Sequence, residues 1–120
     1  MASGAFFYLW ETVDFPITIT ADDGETGILN GIANVVVSFG QKNVPIVEKD
    51  LSTSDVSLDA ENDIINVHLS QEDTGKFSTG EVQVQVNLYY QGTERDATAQ
   101  GTIQALANLH RKVMGNGESD

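Results

Sequence analysis

Glu81-Val82-Gln83-Val84-Gln85-Val86-Asn87-Leu88-Tyr89-Tyr90 decides the fold class of this chain. Val82, Val84, Val86, Leu88 and Tyr90 alternate with Glu81, Gln83, Gln85, Asn87 and Tyr89. A two-residue period sends successive side chains to opposite faces, so the segment is a half-buried strand with its valines inward. Tyr90 shares the inward side and is expected in the core, whereas Tyr89 is expected to face out.

Just upstream, Ile65, Val67 and Leu69 alternate with Ile64, Asn66, His68 and Ser70, which predicts a second strand over about Asp63–Ser70 with an odd-numbered core face. Between the two strands lies Ser70-Gln71-Glu72-Asp73-Thr74-Gly75. Ser70 can accept a backbone N–H as an N-cap, Asp73 can reach back as in a capping box, and acidic residues suit the positive end of a helical turn. One short helical turn near residues 70–75 follows, ended by Gly75, with Phe77 dropping into the core.

Downstream, Gln91-Gly92-Thr93-Glu94 reads as a hairpin connection. The chain then resumes as a strand through about Ala107, with Ala97, Ala99, Gly101, Ile103, Ala105 and Ala107 on a small-residue face. Helix is the rival for its second half, because Ile103, Leu106, Ala107 and His110 also fit a 3.6-residue period. Towards the N-terminus, the β-branched run Ile32–Phe39 ends at Gly40-Gln41-Lys42-Asn43 and pairs back through Val44–Lys49. A short strand near Val56–Leu58 meets the acidic turn Asp59-Ala60-Glu61-Asn62. Ala5–Val13 and Phe15–Thr20 read as two further strands, divided near Asp14 and Pro16 because proline cannot donate to a central ladder. The expectation is an all-β fold: a single antiparallel β-sandwich, immunoglobulin-like, of seven or eight strands. Residues 1–114 form the domain, and Gly115–Asp120 is expected as a disordered tail.

At 120 residues, 40% hydrophobic and 20% charged, the chain has a globular balance and length for one core. It has no cysteine, so disulfides and thiolate zinc sites are excluded. With 18 acidic against 6 basic side chains, the formal net charge of -12 repels phosphate backbones and anionic lipid, so neither nucleic acid nor membrane is an expected partner. Phe6-Phe7-Tyr8-Leu9-Trp10 is too short to span a bilayer and lacks the basic flank of a signal peptide; it reads as a strand.

No catalytic constellation emerges. The two histidines, His68 and His110, sit in no glycine-rich nucleophile turn and read as surface residues. Gly24–Gly27 lacks the lysine and strand-to-helix context of a phosphate loop. Asp22, Asp23 and Glu25, and separately Asp59, Glu61, Asn62 and Asp63, could offer oxygen ligands to Ca²⁺, but neither run follows EF-hand spacing, and such residues make turns for their own sake. No cofactor and no enzyme activity is expected. The aromatic residues are the better candidates. Phe6, Tyr8 and Trp10 alternate with Phe7 and Leu9, so the first strand is apolar on both sides, either deeply buried or covering an interface. Phe6, Tyr8, Trp10 and Tyr89 are the candidate interface residues.

With the strands placed, Ile64–Val86, carrying Leu69-Ser70-Gln71-Glu72-Asp73-Thr74-Gly75-Lys76-Phe77 and then Val82-Gln83-Val84-Gln85-Val86, resembles the small structural proteins of phages and prophages of Gram-positive bacteria. The resemblance runs over about Phe15–Asn108 and extends more loosely to the N-terminal sandwich domain of upper-baseplate proteins. The aromatic N-terminus before Phe15 and the Asp22–Gly27 insertion depart from that pattern. It implies a non-enzymatic virion component, made in the host cytoplasm and associated with tail or baseplate. Its implied partners are other phage structural proteins and copies of itself. The competing expectation is a carbohydrate-binding β-sandwich module that stacks sugars on its exposed aromatic side chains.

Overall fold

The computed structural model describes residues 5–20, 27–91 and 96–108. Its elements are β1 (Phe6–Tyr8), β2 (Val13–Thr18), β3 (Ile32–Gln41), β4 (Val44–Asp50), β5 (Val56–Asp59), β6 (Ile64–Leu69), α1 (Gln71–Gly75), β7 (Gly80–Tyr90) and β8 (Asp96–Leu106). The fold is all-β but for α1. A five-stranded sheet runs in the order β1-β8-β7-β3-β4 and a three-stranded sheet in the order β2-β6-β5.

The alternation in β7 does what its period requires. Val82, Val84, Val86 and Leu88 are buried, and they meet Val35, Val37 and Phe39 of β3 on one core face. Ile65, Val67 and Leu69 of β6 supply the facing layer, and the odd-numbered side is indeed the inward one. Phe15 of β2 bridges the two sheets, its ring centroid 6.0 Å from that of Phe7 and 6.1 Å from that of Phe39. One apolar cluster therefore serves both sheets. Tyr90 is half buried at the rim of this core, where its hydroxyl donates to the Ile28 carbonyl (2.9 Å).

The β3–β4 hairpin turns through Lys42 and Asn43, both at positive φ, as a two-residue turn between twisted strands requires. Beside it, a β-bulge brings Gly40 so close to β4 that a Cβ there would lie 2.5 Å from the Val44 carbonyl oxygen. The helical turn forms as its residues dictate: the Asp73 N–H donates to the Ser70 hydroxyl (3.1 Å) and the Ser70 N–H donates to the Asp73 carboxylate (2.9 Å). Phe77 follows into the core. The strand reading of the last segment holds to Leu106, while Ala107 is exposed beyond its end. The Gly92–Glu94 connection, the Asp22–Glu25 run, His110 and the tail from Gly115 lie outside the described residues.

Two expectations are corrected. The fold is not wholly antiparallel, because β1 pairs parallel to β8, with Phe6 opposite Gln104 and Tyr8 opposite Leu106. Alternating direction is imposed only on strands joined by short turns, and these two come from opposite ends of the described chain. The N-terminal break also falls elsewhere. The chain leaves the first strand after Tyr8, turning at Trp10 (φ 67°), and runs through Asp14 and Pro16 as part of β2. Pro16 is tolerated because β2 is an edge strand. The Ile19 N–H points inward to the Asp63 carbonyl (2.9 Å), so by alternation the nitrogen of Pro16 faces away from the ladder.

Candidate functional site

The outer face of the five-stranded sheet is built by the even-numbered residues of β8 and the odd-numbered residues of β7. The registers stack Gln104 on Glu81, Thr102 on Gln83 and Gln100 on Gln85. Continuing across β3 and β4, Gln83 meets Gly40 and Gln85 meets Ser38, which in turn meets Glu48. These side chains knit into a polar carpet. Gln100 donates to the Gln85 side chain (2.9 Å), Gln83 donates to the Asn43 side chain (2.8 Å), and the Ser38 hydroxyl donates to the Glu48 carboxylate (3.0 Å). A shallow groove of about 570 Å³ lies over the middle of this carpet, between a Val44–Pro45 wall and Thr102.

At one end of this face the carpet gives way to apolar surface. Phe6 and Tyr8 are 53% and 42% exposed and stack edge-to-face with centroids 5.8 Å apart. Their β8 neighbours are Gln104 and Leu106, and Leu106 is itself 36% exposed. Phe7, between the two aromatic residues, is only 2% exposed and holds the strand down. The alternatives left by the apolar N-terminal strand are thus divided within it: one side chain is core, and its two neighbours face solvent.

Tyr89 does not join them. It pairs with Asp96, eight residues along β8 from the Phe6 position, a separation of about 27 Å at ordinary strand rise. Although 41% exposed, it stands at the opposite end of the sheet.

Trp10 is placed apart from both. It is partly covered, and its indole lies on α1 so closely that a Cβ on Gly75 would sit 2.5 Å from the ring. The neighbouring backbone is pinned too: the buried Thr74 hydroxyl donates to the Glu11 carbonyl (2.9 Å), and the Asn108 side chain donates to the Leu9 carbonyl (2.9 Å). Trp10 is a structural clasp between the N-terminal turn and the helix. Gly75→Ala is expected to lower stability by about 1–3 kcal/mol through overpacking. It should also shift the emission of Trp10, the single tryptophan, to the red as the indole is displaced into water; an unmoved spectrum at unchanged stability would refute the clasp.

The acidic turn has been put to other use. Asp63, at φ 55° and buried, accepts the Gly27 N–H (3.0 Å) and the Leu29 N–H (3.3 Å), so its carboxylate anchors the approach to β3. Asp59 accepts from the Asn62 side chain (2.9 Å). Among the described residues no group of three or more His, Asp or Glu side chains is placed to hold a metal ion. His68 is half-buried on the outer side of β6 and contacts Asp14 of the neighbouring strand at 2.7 Å, a surface pair of small energetic weight.

One charged group escaped the sequence reading. Lys49 of β4 lies 2.9 Å from Asp55 and 2.9 Å from Asp73, tying the edge of the larger sheet to the segment before β5 and to α1. Burial pulls the Lys49 ammonium down, but hydrogen bonds and attraction from Asp73 and Asp55 outweigh it and hold its pKa above the ordinary lysine value. Burial likewise pushes the Asp73 carboxyl up, and the Ser70 N–H together with Lys49 more than reverses this, leaving it below the ordinary carboxylate range. The arrangement joins three segments that are distant in sequence.

No family model matches this chain, and no curated protein matches it. Among solved structures it is similar to the endo-β-1,4-mannanase from Thermotoga petrophila, with a TM-score of 0.52 and 10% identity over 87% of this chain and 18% of that one. The chain thus spans less than a fifth of that enzyme's length. A protein described as Tim-1 aligns over 91% of this chain and 96% of its own, with a TM-score of 0.36 and 12% identity. The likeness to the mannanase segment is one of fold alone.

Proposed function

We propose that this chain is a non-enzymatic structural or assembly protein of a phage or prophage, associated with tail or baseplate and acting through protein–protein contacts. In this reading its two sheets form an immunoglobulin-like sandwich, and its place is in the virion, beside copies of itself and other structural proteins. The observation that carries the reading is the solvent-facing Phe6–Tyr8 pair beside Leu106. Large aromatic side chains held rigidly over a buried anchor are the usual centre of a protein interface. The resemblance of Leu69–Phe77 and Val82–Val86 to phage structural proteins supplies the biological setting.

The test is molar mass in solution over a concentration series, comparing the wild type with the double variant Phe6→Ser/Tyr8→Ser. The wild type is expected to rise above its 13.0 kDa monomer mass and the variant to remain there, folded. Because each copy carries a formal charge of -12, association should strengthen with added salt as the Debye length shortens. Identical behaviour of the two proteins would remove the corner as the contact.

A second reading, a carbohydrate-binding module, is favoured by the amide- and hydroxyl-lined groove over Gly40 and Gly101. Its weakness is that Phe6, Tyr8 and Tyr89 do not line the groove, so no aromatic platform stands where a sugar would stack. A panel of soluble neutral β-linked oligosaccharides discriminates. Saturable shifts of the Gln83, Gln85 and Gln100 side-chain amides would favour this reading, and none is expected from an assembly protein.

A further inference from the structure

Four of the sheet edges are guarded or too short to recruit a strand, as natural sheets require. β1 has three residues. β2 carries Asp14 and Pro16, β4 carries Pro45, Glu48, Lys49 and a bulge at Ile46, and β5 has four residues ending in Asp59. The outer edge of β8 is different. β1 covers it only at Gln104–Leu106, and among the described residues no strand pairs along the rest. The Gln104 N–H donates outward to the Ala5 carbonyl (3.0 Å), so by alternation the N–H and C=O groups of Thr98, Gln100 and Thr102 also face outward. The stretch Ala97–Ile103 contains no charge, no proline and no bulge, in a chain where every fifth residue is charged.

A second observation lies in line with this edge. An apolar slot of about 160 Å³ opens between the two sheets, lined by Ala5, Phe15, Ile17, Phe39, Val84 and Ile103. Ile103 ends the free stretch, and Ala5 marks where β1 begins to cover it. A slot of this size matches an apolar cavity that admits a benzene-sized group.

From these, resting on the assembly reading, we infer that β8 accepts an extended strand from a different protein, which pairs with Thr98–Thr102 and places one apolar side chain in the slot. Strand addition of this kind takes affinity from main-chain hydrogen bonds and selectivity from alternate side chains. The occupant is an alternating segment flanked by Lys or Arg. A net charge of -12 with Asp96 at one end of the edge attracts a basic strand, whereas a second copy would bring the same negative charge again.

The test uses the full ¹⁵N-labelled chain and synthetic lysine-flanked strands in which Thr alternates with Val and the central apolar position is Phe, Leu or Ser. The Phe and Leu strands should slow amide exchange at Thr98, Gln100 and Thr102, and the Ser strand should bind roughly tenfold or more weakly. Gln100→Pro removes one outward donor without breaking the β7 ladder and should abolish binding. Strands N-methylated along the pairing edge should also fail to bind, which keeps the test decisive if that variant does not fold. Phe6→Ser/Tyr8→Ser should bind the strands as the wild type does, so a failed corner and a failed edge give different results. Unchanged exchange with every strand would overturn the inference. So would protection of the same amides on concentrating the chain alone, which would assign the edge to a second copy.

Discussion

Phe7→Ala is expected to remove about 3–5 kcal/mol of stability, the cost of an empty space where a buried phenylalanine stood. The reason is its place rather than its size. β1 has only three residues, so its ladder to β8 is short, and Phe7 is its one deeply buried side chain. The Phe7 ring packs edge-on against both Phe15 (6.0 Å) and Phe77 (5.5 Å), which come from the smaller sheet and from the loop after α1. Truncation loses both contacts and lets β1 peel from the sheet, taking Phe6 and Tyr8 with it. Urea unfolding should show a lower midpoint with an unchanged slope, and Phe6→Ala should fall within about 0.5 kcal/mol of the wild type. Equal effects from the two neighbours would contradict the division of this strand into one anchor and two contact residues.

Lys49→Met is the second large effect, expected at about 3 kcal/mol, because it strands Asp73 without its cation at a nearly buried position. Its pH dependence follows from the direction of each shift. Asp73 is held below its ordinary range when folded, so its contribution is complete above that range and is lost as pH falls through the folded value. Lys49 is held above its ordinary value, so its contribution is complete below that value and is lost as pH rises through the folded one. The wild type should therefore keep this stabilisation across neutral pH. In Lys49→Met the Asp73 carboxyl retains the Ser70 N–H but loses the ammonium, so its folded value moves back towards the ordinary range, and the acid loss should be smaller and complete at higher pH. Urea midpoints measured against pH for both proteins check this, and superimposed acid arms would show that Asp73 is held by its cap alone.

The elements were legible in the chain, and their arrangement was less so, for a physical reason. Val82–Tyr90 and Ile65–Leu69 declare their faces because each is buried on one side, and Ser70 and Asp73 declare a cap because the partners lie three residues apart. What could not be read depends on residues far apart in sequence. The parallel seat of β1 on β8 joins Phe6 to Gln104, Lys49 reaches Asp73, and Asp63 reaches back to Gly27. Trp10 shows the limit most clearly. Its apolar neighbours made it look like a continuation of the strand, yet a positive φ turns it onto Gly75, and no local signal marks that helix as its partner. Of the four candidate interface residues, Phe6 and Tyr8 stand together, Tyr89 stands apart, and Trp10 is occupied.

The most direct measurement of the central claim is amide hydrogen exchange on the wild type, dilute and concentrated, at salt high enough to screen its charge. New protection is expected on concentration at Phe6–Tyr8 and at Gln104–Leu106, with the Gln83–Gln85 face unchanged. Protection absent from that corner and appearing instead over the groove when neutral oligosaccharide is added would contradict an assembly role and leave the carbohydrate reading in its place.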